Sequence, residues 1–154
     1  MHTWFECKVR YERPAEDGAS RKVAEAYLVD ALSFTEAEAR IIEELAPFAG
    51  EGLSVTDIKR AKYEELFASN ADADDRWFKI KICFITLDAK GEEKRVGAQM
   101  LVQASDLRRA LVRFDEAMKG TMADYEISSV AETAIMDVIT LQVEDELTPA
   151  QAPA

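Results

Sequence analysis

The chain of 154 residues contains a single histidine, His2, close to its first residue. A Ser-His or Cys-His nucleophile pair therefore lacks its base, and an imidazole-built zinc site lacks its ligands. Cysteine is scarce too. Cys7 and Cys83 are the two present, too far apart for a CxxC pair, and two thiolates alone do not close a tetrahedral site. Both sit in apolar, strand-like runs, which predicts reduced and buried thiols in an intracellular protein. The six glycines are scattered over turns, and none forms the glycine-rich loop that cradles phosphates. No charged-then-apolar leader opens the chain and no apolar run reaches membrane-spanning length, so a cytoplasmic location without membrane contact is expected. Positive charge is in the minority: 19 Lys and Arg stand against 30 Asp and Glu, a net charge of −11. That balance opposes general binding to phosphate backbones, although one basic face on an acidic body stays compatible with it. These absences leave no catalytic residue, cofactor or metal ligand to assign, and a non-enzymatic protein is the expectation.

What the chain does contain is a stretch written twice. A constant offset of 73 positions pairs Trp4 with Trp77, Phe5 with Phe78, Lys8 with Lys81, Gly18 with Gly91 and Val23 with Val96. The same offset pairs Leu28 with Leu101, Val29 with Val102, Ala31 with Ala104, Ala37 with Ala110, Arg40 with Arg113 and Glu43 with Glu116. An ungapped match of this length is the mark of a duplicated folding unit. Hydrophobic content of 48% supplies a packed interior and 32% charged residues supply a polar surface.

Residues 4–11 alternate, with Phe5, Cys7, Val9 and Tyr11 on one side and Trp4, Glu6, Lys8 and Arg10 on the other. This predicts a half-buried strand. Asp17-Gly18 marks a hairpin turn, and the next strand, about 22–31, turns Val23, Tyr27 and Val29 inward. Ser33-Phe34-Thr35-Glu36 has capping-box spacing ahead of a helical stripe of Phe34, Ala37, Ile41, Leu45 and Phe48. A third strand is expected near 53–63. The acidic stretch 68–76 reads as a linker, and its Asp72-Ala73-Asp74-Asp75 lacks the spacing and turn glycine of a calcium loop. The second copy repeats the plan. Phe78, Ile80, Ile82 and Phe84 point inward, Asp106 caps a helix carrying Leu107, Ala110, Leu111, Phe114 and Met118, and a long strand is expected over 127–143 with a bulge near 132–134. The offset falls to 72 after the helix, so that Leu66-Phe67 match Val138-Ile139.

The predicted fold is α+β: two tandem β-β-α-β repeats, 1–67 and 77–143, packed about a pseudo-two-fold as one domain of about six strands and two helices. A tail from 144 to 154, rich in Asp, Glu, Pro and Ala, is expected to be disordered. The remaining functional candidate is a surface. The outward residues Trp4, Lys8 and Arg10 of the first copy, Trp77, Lys79 and Lys81 of the second, and Lys59, Arg60 and Lys62 together set aromatic rings among cations. On an open sheet face this pattern stacks the bases and tracks the phosphates of single-stranded nucleic acid. Two alternatives stay open. The tryptophans could instead cover a sheet edge or the seam between copies, the lysines being merely solvated, and the chain could serve as a protein–protein or homodimerisation module.

Trp4-Phe5-Glu6-Cys7-Lys8, Tyr27-Leu28-Val29-Asp30-Ala31-Leu32-Ser33-Phe34-Thr35-Glu36-Ala37-Glu38, Asp57 to Tyr63 and Lys119 to Ile127 resemble an uncharacterised domain-of-unknown-function family of the Bacteroidetes that also occurs among phage and mobile-element genes. The resemblance spans nearly the whole chain outside the tail. It implies no activity and no catalytic residue. Its mobile-element setting favours an accessory role on nucleic acid by association.

Overall fold

A computed structural model describes residues 3–49 and 52–140. The tail expected over 144–154, with its Glu144-Asp145-Glu146 cluster, lies outside the described residues. The fold is α+β, with two helices and eight strands in two sheets among the described residues. The strands are β1 (Trp4–Pro14), β2 (Ser20–Asp30), β3 (Ser54–Ala61), β4 (Glu65–Phe67), β5 (Arg76–Leu87), β6 (Glu93–Ala104), β7 (Asp124–Glu132) and β8 (Ile135–Ile139). Helix α1 (Phe34–Leu45) follows β2, and α2 (Leu107–Ala117) follows β6.

The strand count corrects the expectation of six. Each long third strand breaks in two, β3 with β4 and β7 with β8, and the halves do not pair in the same sheet. The first sheet has the order β3-β1-β2-β8 and the second β4-β6-β5-β7. β8 runs parallel to β2, with Val29 opposite Ile139, and β4 runs parallel to β6, with Phe67 opposite Val102. The described residues fall into two compact units, one of residues 3–61 with 135–140 and the other of 62–134. Periodicity reports which face of a strand is apolar but not which sheet supplies its neighbour, so this exchange left no mark in the pattern.

Local chemistry explains the rest. Gly18 and Gly91 close the two hairpins with φ of 85° and 80°, a backbone conformation that only glycine adopts without strain. Ser33 is the N-cap of α1: its Oγ accepts from the Glu36 backbone N–H at 3.1 Å, and the Glu36 carboxylate takes the N–H of Leu32. Asp106 caps α2, accepting from the Arg109 N–H at 2.8 Å.

In the first unit, Phe5, Cys7, Val9 and Tyr11 of β1 and Val29 of β2 pack under Ala37, Ile41 and Leu45 of α1. In the second, Ile80, Ile82, Met100 and Val102 pack with Phe114 and Met118, and Phe78, Ala104 and Ala110 form an adjoining cluster. Phe34 and Phe48, expected in the α1 stripe, are exposed. Phe34 sets its ring edge against Phe5 at 4.9 Å, while Phe48 falls in the turn beyond the helix. Among the described residues no helix is long and apolar enough to cross a membrane.

Candidate functional site

The nine residues singled out by sequence divide between the two units, Trp4, Lys8, Arg10, Lys59 and Arg60 in the first and Lys62, Trp77, Lys79 and Lys81 in the second. Trp4 and Trp77 are only 6% and 4% exposed. A base stacks on an open ring, so neither indole is placed to receive one. On the sheet face away from the helix, Leu28 and Leu101 are fully buried as well. Lys8, Arg10, Lys59, Arg60, Lys62 and Lys81 are exposed and Lys79 is half-buried.

Lys8, Arg10 and Lys59 share the face of the first sheet away from the helix, where acids of the paired strand stand among them. Lys8 lies opposite Asp57 and Lys59 opposite Glu6, while Arg60 lies opposite Phe5 on the helix side and comes over its ring at 6.0 Å. Consecutive strand residues face opposite ways, so Lys59-Arg60 could not present its charges together. Lys62 belongs to the second unit, where its carbonyl accepts from Gln99. Lys79 and Lys81 face Leu101 and Gln99 on β6.

The expected linker is not a plain one either. Asp74 has a fully buried side chain. Arg109 donates to it from Nε at 2.8 Å and from its terminal nitrogen at 3.3 Å, and the Ser69 hydroxyl donates at 2.5 Å. The bonds from Arg109 and then Ser69 hold its carboxyl down to about 2. Beside it, Arg113 donates to the carbonyls of Phe67, Ala68 and Gln103. This arrangement clamps the segment after β4 onto α2, with every partner internal. It is a lock.

A different constellation occurs in the first unit. Glu25 of β2 lies opposite Val9 and so turns toward the helix side of the sheet, between Val23 and Tyr27. Its side chain is only 8% exposed. The Tyr11 hydroxyl donates to Oε1 at 2.6 Å, the Tyr27 hydroxyl donates to the same oxygen at 2.9 Å, and Arg13 donates to Oε2 at 2.9 Å. Arg13 also donates to the Tyr11 oxygen at 2.7 Å and stacks over that ring.

Burial alone would raise the Glu25 pKa. The two hydroxyls and the guanidinium outweigh it and hold the carboxylate below its ordinary range. Burial, then the bond to Glu25, pushes both phenols up, Tyr27 furthest. At neutral pH the group is one anion with three satisfied donors.

The tyrosines floor a cleft of about 560 Å³. Tyr11 and Arg13 come from β1 and Tyr27 from β2; α1 and the turn after it supply Glu44, Leu45 and Phe48, and β8 supplies Met136, Asp137 and Ile139. The volume is that of a small-molecule site. Phe48, 75% exposed, stands at its mouth. Among the described residues there is no group of three or more His, Cys, Asp or Glu that could hold a metal ion.

The sequence reading missed Glu25, Tyr27 as a polar group, and the whole β8 wall. A signal for Glu25 was present: strand parity puts an acid on the apolar face of β2, and 73 residues on the position is Ala98. The β8 wall carried no such signal, because it depends on which sheet β8 joins.

The family model for a domain of unknown function, DUF4494, matches residues 3–141. No curated protein and no solved structure matches the chain. With all but the ends of its sequence covered by that model, the chain belongs to the DUF4494 family.

Proposed function

We propose that this protein is a non-catalytic binding module for a small molecule, and that its site is the cleft of the first unit. The observation that carries this reading is the cluster of Glu25, Tyr11, Tyr27 and Arg13 on the helix side of the sheet, beside an open cavity. A buried carboxylate with its donors adds little stability over apolar residues of similar shape. Its presence under a cavity argues for a role in recognition.

Binding is favoured over turnover by the titration behaviour of the group. General acid–base work wants a pKa near the operating pH, whereas the Tyr11 and Tyr27 phenols are pushed upward and the Glu25 carboxyl downward. Recognition of single-stranded nucleic acid through the tryptophans draws no support from their burial.

We further infer that the two sequence copies descend from one unit, here β-β-α-β-β. The parallel registers support it. Phe5 lies opposite Val29 as Phe78 lies opposite Val102, and Tyr11 opposite Val23 as Phe84 opposite Val96. In this account the Tyr11, Glu25 and Tyr27 cluster belongs to the first copy, while β8 of the second copy supplies one wall of the cleft.

The test is amide chemical-shift mapping on the full chain with a fragment set of mixed charge. Saturable shifts grouped at residues 11, 13, 27, 44–48 and 136–139 are expected. Shifts confined to other surfaces, or none with any fragment, would remove the reading.

A further inference from the structure

Resting on that site assignment, we propose that the cleft takes an organic ammonium: a small molecule with an apolar, preferably aromatic, body and one protonated amine. The lining offers acceptors and few free donors. Each tyrosine hydroxyl commits its proton to Glu25, so its remaining capacity is that of an acceptor. Tyr11 already accepts from Arg13, which leaves Tyr27 Oη as the open acceptor on the floor.

The walls add two more acceptors, the carboxylates of Glu44 and Asp137. Arg13 is the single cationic lining residue, and it is spent on Glu25 and Tyr11. Its charge is cancelled by Glu25, so Glu44 and Asp137 leave the cleft net negative.

A donor cation answers this pattern and an anion does not. Tyr27 and Phe48 put aromatic rings, the side chains that attract ammonium groups, in the lining, while Leu45, Met136 and Ile139 suit an apolar body. The chain's net charge of −11 draws cations toward it at long range.

Three probes of one length separate the possibilities: phenethylammonium, 2-phenylethanol and 3-phenylpropionate, each titrated into the labelled full chain. Phenethylammonium is expected to shift the cleft amides saturably, with the alcohol and the carboxylate about 10-fold weaker or worse. The isosteric pair Glu44→Gln with Asp137→Asn should weaken the ammonium about 10-fold, leave the alcohol unchanged and leave the melting temperature in place. Cleft shifts of equal strength from the alcohol or the propionate would overturn the ligand class while keeping the site. Failure of all three to move any cleft amide, with the mixed fragment set equally silent there, would overturn the site as well. Nα-acetyl-lysine amide carries the same ammonium on a peptide frame and should bind more weakly. Tighter binding than phenethylammonium would assign the cleft to a peptide and overturn the proposal.

Discussion

The two units build sheets of one spatial plan, an antiparallel edge strand, two central strands and a parallel edge strand, and differ where it matters most. Position by position, the cluster of Tyr11, Glu25 and Tyr27 stands where the second unit has Phe84, Ala98 and Met100. Those three residues join the apolar core around Phe114. Two further exchanges close the second unit and open the first. Phe114 and Phe67, whose rings meet at 6.1 Å, correspond to the smaller Ile41 and Ile139. The second unit keeps its buried charge elsewhere, in the Asp74–Arg109 clamp. One scaffold thus carries a polar group facing a cleft and a polar group sealed as a lock. Comparing them separates what the fold requires from what has been added to it.

The largest effect should come from the closed core. Phe114→Ala removes a fully buried ring with edge contacts to Phe67 and Tyr125 and should cost about 4 kcal/mol in urea unfolding. Ile41→Ala, its counterpart, should cost about 3 kcal/mol; an equal or greater loss there would break the comparison.

Next is the reciprocal exchange. Ala98→Glu puts a carboxylate among Phe84, Met100 and Met118 without donors and should cost about 3 kcal/mol. Glu25→Ala strands two hydroxyls and a guanidinium beside the cleft and should cost about 2 kcal/mol. A neutral outcome for Ala98→Glu would mean that the second unit is as open as the first.

Acid should distinguish the two carboxylates. Both have folded-state pKa values below their unfolded ones, so their contribution is present above the unfolded value and is lost as pH falls through the folded one. For Asp74 the window runs from the ordinary 3.8 down to about 2. The stability gap between wild type and Asp74→Asn should therefore hold at pH 5 and shrink across that window. Glu25 should lose its contribution below its ordinary 4.5, and a gap for Glu25→Gln that grows with acid would contradict the network described.

The smallest effect is a matter of rate. Cys7 is fully buried on the core face, and burial pushes its thiol up to about 12, whereas Cys83 is half-buried. At pH 8 a thiol reagent should label the native protein through Cys83, and Cys83→Ser should remove most of that signal.

Much of the fold was legible because alternation and capping are local. Phe5, Cys7, Val9 and Tyr11 face inward as their spacing requires, and Ser33 and Asp106 open the helices that follow them. The interruption near 132–134 showed as an expected bulge, but the break after Ala61 and the sheets that β4 and β8 join were not legible, since they depend on the partner that each strand finds. The site was less legible still. Trp-Phe repeated with cations around it resembles a platform, but burial of Trp4 and Trp77 is settled by tertiary packing. Glu25 could have been found by asking which inward position is charged at one end of the 73-residue offset and apolar at the other.

The central claim is that the Glu25 cluster serves the cleft and is dispensable to the fold. Its most direct test is the triple variant Tyr11→Phe, Glu25→Ala and Tyr27→Met, which gives the first unit the residues of the second. If the claim holds, urea unfolding of the triple variant lies within about 1 kcal/mol of wild type and recovers what Glu25→Ala alone loses. A triple variant as unstable as Glu25→Ala, or more so, would make the cluster a structural part of the first unit and contradict the account.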